Sequence, residues 1–140
     1  MFDDAIEHAA RVDAWLRPAK RLSPATLRAA FERAFDALCA RARVALGDVT
    51  VSTINDRVIE RTHARFPWFW PSADTTPDSL RRAVRFVLVE FLTVVAQLTG
   101  GILTRALHET LWRVPLSLAA MERSDPRRRS LALSERTSAS

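Results

Sequence analysis

From Phe2 to Leu16 the apolar residues Phe2, Ile6, Ala9, Val12 and Leu16 recur every three or four positions, the spacing of one face of an α-helix. Asp3 and Asp4 crowd the first turn, where a carboxylate meets the positive end of the helix dipole, and Pro18 follows the end. Ser23-Pro24 reads as an N-cap followed by a proline at the first helical position. The helix it opens reaches about Leu46, with Leu27, Phe31, Ala34, Leu38, Ala42 and Ala45 on one face and Gly47 as terminator. Its other side, Arg28, Glu32, Arg33, Asp36 and Arg41, is a solvated charged face. Thr50 then caps a third helix from Val51 to about Arg65, whose stripe is Val51, Ile54, Val58 and Thr62 with Ile59 alongside.

Pro67 stops that helix, and Trp68-Phe69-Trp70-Pro71 makes an aromatic loop whose prolines forbid helix. Thr76-Pro77-Asp78 opens the longest helix, Leu80 to about Arg113, before Pro115. Leu80, Val84, Val87, Phe91, Val94 and Leu98 form its stripe, and Leu88, Val89, Leu92 and Val95 make it apolar on the remaining sides too. A helix apolar all round is central in a bundle or packed on a second copy. The pattern predicts both. Gly100-Gly101 within it marks a kink or a close helix approach.

The expected fold is therefore all-α: four to five helices bundled around one long central helix, dimerising through it. The scarcity of glycine, three in 140 residues, and the absence of sustained period-2 alternation agree with that. The expected domain spans residues 1–122, followed by a flexible Arg/Ser-rich tail at 123–140.

Charge alters less than it first suggests. The formal charge of +5 and a pI near 11.1 resemble a nucleic-acid binder. Yet the tail holds Arg123, Arg127, Arg128, Arg129 and Arg136 against Asp125 and Glu135, which leaves the first 122 residues nearly balanced. Lys20 is the only lysine and tyrosine is absent, so little titrates between histidine and arginine and the pI is extreme for compositional reasons. Weak contact of the tail with nucleic acid or anionic membrane is a further expectation. A single cysteine, Cys39, excludes an internal disulfide framework. The start Met1-Phe2-Asp3-Asp4 has neither basic nor apolar signal regions, which sets a cytoplasmic expectation. Residues 86–104 carry one charge, Glu90, flanked by Arg82, Arg85 and Arg105; that stretch reads as bundle core in preference to a membrane span.

Candidate chemistry is sparse. Glu60 and His63, three apart, are half of a di-iron carboxylate motif and lack the other half. Glu90 in the run Val87-Leu88-Val89-Glu90-Phe91-Leu92 is either a perturbed buried carboxylate or the partner of an Arg from another helix. His63 and His108 are the residues a haem or ligand pocket would use, together with Glu90. No hydrolase, nucleotide-loop or zinc motif occurs, no cofactor is expected, and no residue stands out as a nucleophile. The expected function is a non-enzymatic regulatory or adaptor module of bacterial signalling or assembly. Its protein contacts, a homodimer among them, are expected through Trp68, Phe69, Trp70, Leu80, Val84, Val87, Leu88, Phe91 and Val94. The alternatives are a ligand, haem or metal sensor with its pocket in the bundle, and a peripheral membrane or nucleic-acid protein using the tail.

Overall fold

Capping residues set the helix boundaries. In the computed structural model, which describes residues 2–69 and 76–114, without the side chains of residues 2–5 and of Lys20, the order is α1 (Phe2–Leu16), a 3-10 turn (Arg17–Arg21), α2 (Pro24–Leu46), α3 (Asp48–Arg65), α4 (Pro77–Thr99) and α5 (Thr104–Trp112). The described residues contain no strand. Ser23 Oγ accepts from the Thr26 amide at 3.2 Å at the start of α2, and Thr76 Oγ1 accepts from the Ser79 amide at 3.2 Å at the start of α4. Both helices place proline in the first turn, where its missing N–H costs nothing.

Gly47, at φ +84°, ends α2 and begins α3 in one residue, and its carbonyl accepts from the Val51 amide at 3.2 Å. The third helix thus starts at Asp48, ahead of the Thr50 cap that the sequence pattern predicts. The expected long helix from Leu80 to Arg113 is two helices. Gly100 at φ +64° and Gly101 at φ +85° both lie in the left-handed region, where an L-residue loses about 1–2 kcal/mol, so the α4 ladder cannot pass through them. The Gly101 amide instead donates back to the Ala96 carbonyl at 3.0 Å, and the chain turns into α5.

Helix α4 is the hub: it packs on α1, α2, α3 and α5, while α5 returns against α2 and α1. That arrangement accounts for its apolar girth. Leu80, Val84, Val87, Leu88, Phe91 and Val94 are buried in the chain's own core, as are Leu92 and Val95. The residues expected at a dimer face on this helix are therefore covered by other helices of the same chain, and a second copy is not needed to cover them. Leu98, the last position of the stripe, is 60 % exposed.

On two other helices single residues depart from the expected faces. On α1 the buried residues are His8, Val12, Trp15 and Leu16, whereas Ile6 is exposed. On α2, Arg28 leaves the charged face: its guanidinium lies 4.3 Å over the Phe69 ring and donates to the Phe69 carbonyl. Burial lowers its pKa from the usual arginine range, an effect Glu32 partly opposes. Among the described residues no helix is long and apolar enough to cross a membrane. The tail at 123–140 and Trp70 lie outside the described residues.

Candidate functional site

The most distinctive polar contact in the core joins two histidines 100 positions apart. His8 Nδ1 and His108 Nε2 are 2.9 Å apart, with the rings edge-on at 76°. Both side chains are buried. His8 is carried by the apolar face of α1, four residues before Val12 and seven before Trp15, and His108 by α5 between the buried Leu107 and Leu111. Further along the two helices, Trp15 Nε1 donates to the Val114 carbonyl at 2.7 Å. The two contacts are separated by similar chain lengths on each side, so α1 and α5 run in the same direction.

A groove of about 610 Å³ follows the α1–α5 seam, lined by Glu7, Arg11, Gly101, Thr104, Arg105, His108, Glu109 and Trp112. Its charges pair within each helix: Glu7 with Arg11 at 3.8 Å and Arg105 with Glu109 at 3.9 Å. Glu7 Oε1 also stands 4.0 Å from His108 Nδ1. The indole of Trp112 is part of the lining and is 62 % exposed. Large apolar side chains are left uncovered beside the α4–α5 break as well: Leu98, and Ile102 at 84 % exposure, flank Gly100 and Gly101.

The histidine pair has a pH signature. A 2.9 Å N···N contact needs one ring nitrogen to donate and the other to accept, which two neutral imidazoles provide. The His108 pKa is pushed below its ordinary 6.5 by burial first and by His8 second; Arg11 adds to the depression and Glu7 opposes it. Between the native value and 6.5 the unfolded chain binds more protons than the folded one. The stability contributed by neutral His108 is therefore fully present above pH 6.5 and is lost as pH falls through the native value. Urea unfolding at about pH 7.5 and about pH 5.5 is expected to show a lower midpoint at the acid value, and His108→Gln is expected to flatten that difference. Equal midpoints for the unmodified chain contradict this account.

The other residues singled out by sequence are dispersed. Glu90 is half-buried on α4, and its Oε2 accepts from Arg61 Nη1 of α3 at 2.8 Å, the interhelical ion pair that was the plainer of the two expectations for it. His63 and Glu60 are exposed on α3. The structure therefore does not bring Glu90, His63 and His108 together, and no group of three or more His, Cys, Asp or Glu among the described residues is placed to hold a metal ion. Phe69 is fully buried, edge-on to Phe31 at 5.2 Å, so it plugs the core where an exposed interface residue was expected. Trp68 is half-buried against Phe66 and Phe69. Cys39 is buried, its thiol raised in pKa by burial although the amide of Asn55 and Arg43 act the other way.

Sequence reasoning missed the contact between His8 and His108. The signal present was His8, Val12 and Trp15 at spacings of four and three, an alternative stripe to the one that includes Ile6. Pairing His8 with a residue 100 positions away required knowing that α5 turns back. No protein-family model, curated protein or solved structure matches this chain.

Proposed function

We propose that this chain is a non-enzymatic helical interaction module that associates with a second copy of itself across the α1–α5 groove. The observation that carries the reading is the exposed indole of Trp112 in the groove; Leu98 and Ile102 are exposed as well, at the α4–α5 break where Gly101 lines the same groove. The core is closed without them, and a surface indole in a groove has the character of a binding anchor.

The charges favour a second copy as the occupant. Along parallel helices the order is Glu7 then Arg11 on α1, but Arg105 then Glu109 on α5. A two-fold axis parallel to the helices lays α1 of one copy over α5 of the other. The register of His8 on His108 sets Glu7 about two residues past the level of Arg105 and Arg11 about two past that of Glu109, within side-chain reach of an opposite charge on the other copy, and the groove carries as many carboxylates as guanidinium groups. Helical adaptor and assembly proteins work through faces of this kind, and a role in assembly follows from the reading.

Charge reversal tests it. Arg105→Glu is expected to weaken self-association about tenfold by setting like charges opposite one another, and adding Glu7→Arg is expected to restore it. Both side chains are exposed, so folding is not at stake. Association equally strong in the single and double variants contradicts the proposed contact.

A further inference from the structure

A second groove of about 390 Å³ lies between the end of α3 and the first half of α4. Three guanidinium groups border it, from Arg65, Arg82 and Arg85, and its apolar floor includes Phe66 and Phe86. The two rings lie 5.8 Å apart, and the Arg65 guanidinium stacks 4.9 Å over Phe86. The carboxylates at the groove are already engaged: Glu90 accepts from Arg61 at 2.8 Å, and Asp13 accepts from Arg85 at 2.7 and 3.3 Å. Neither Arg65 nor Arg82 has a carboxylate within ion-pairing distance among the described residues. The groove thus carries two uncompensated cations beside half-buried aromatic rings, in a body whose charge is otherwise nearly balanced.

We infer that this groove binds a nucleotide, with Arg65 and Arg82 on its phosphate and its base stacked against the Arg65 guanidinium plane and the Phe66 ring. Planar guanidinium groups match phosphate oxygens in pairs, and they stack on bases as readily as on phenyl rings. Arg85, fixed by its two hydrogen bonds to Asp13, adds positive potential at a set position. The volume suits one nucleotide unit, since small-ligand pockets begin at roughly 300 Å³. The same chemistry is offered by a free nucleotide and by one unit of a single strand, and these sources are separable.

Calorimetric titration of the full chain with adenosine monophosphate, adenosine and inorganic phosphate tests the site. Adenosine monophosphate is expected to bind at least about tenfold more tightly than either fragment, because only it engages both the cations and the rings. The double variant R65A/R82A, changed at two exposed positions, is expected to lose about tenfold or more in affinity while keeping its helical circular dichroism. A single-stranded oligomer of about ten nucleotides binding more tightly than the mononucleotide identifies nucleic acid as the source, and weaker or equal binding identifies the free nucleotide. Phosphate binding as tightly as adenosine monophosphate, unchanged affinity in R65A/R82A, or no heat up to about 10 mM ligand overturns the assignment.

Discussion

Leu88→Asp is expected to leave the chain unfolded. From sequence alone this substitution reads as a probe of a dimer face, because Leu88 lies on the helix that is apolar all round. In the structure Leu88 is 0 % exposed within one copy, packed between α4 and the helices around it. The variant loses the packing of a buried leucine, about 2–5 kcal/mol. It also places a carboxylate where no partner is available, which costs several kcal/mol more or forces the group to hold its proton. Domains of this size have about 5–15 kcal/mol in total. Circular dichroism is therefore expected to show loss of helix and of a cooperative thermal transition. A folded, helical monomer would place Leu88 on a surface and contradict the packing around α4.

Phe69→Ala is expected to cost about 3–5 kcal/mol, the range for emptying a buried phenyl site. Phe69 belongs to the Trp-Phe-Trp loop, whose composition suggests a binding surface, but its ring is fully buried against Phe31. Arg28 depends on it twice, through the ring face and the backbone carbonyl. Truncation leaves a half-buried guanidinium beside a cavity, so the loss is expected at the upper end of the range. Phe69→Leu keeps most of the volume and the carbonyl, and is expected to retain more than half of the lost stability. The urea midpoints of the two variants measure this. A loss below about 1 kcal/mol in Phe69→Ala would mean that the ring is not part of the core.

These two residues show what periodicity conveys and where it stops. The stripes on α2, α3 and α4 fall on buried residues except at Ala45, Ile59 and Leu98, because a helix reports its own inward face through its spacing. What covers that face is not encoded locally. The apolar girth of α4 is compatible with a second copy or with four neighbouring helices, and the choice depends on Gly100 and Gly101 turning the chain back. The double glycine was visible, but its outcome, a kink or a full break, is decided by whether both residues take positive φ. The same dependence hid the site residues. Which arginine pairs with Glu90 stays open until α3 brings Arg61 to it, and nothing local joins His8 to His108 until α5 turns back. Arg28 reads as solvated until the aromatic loop folds over it. In each case the missing partner lies on another element, more than 25 residues away.

The α1–α5 groove is likewise a product of that turn, since its walls come from opposite ends of the described chain. Its exposed indole and its self-complementary order of charges are the basis for reading the protein as an interaction module. Sedimentation equilibrium over a range of chain concentrations tests that reading most directly. The account predicts a limiting mass of twice the 15.8 kDa chain, and a Trp112→Ala variant that dissociates about thirtyfold more readily while staying helical. A mass of one chain at every concentration, or a Trp112→Ala variant that associates as the unmodified protein does, would contradict it.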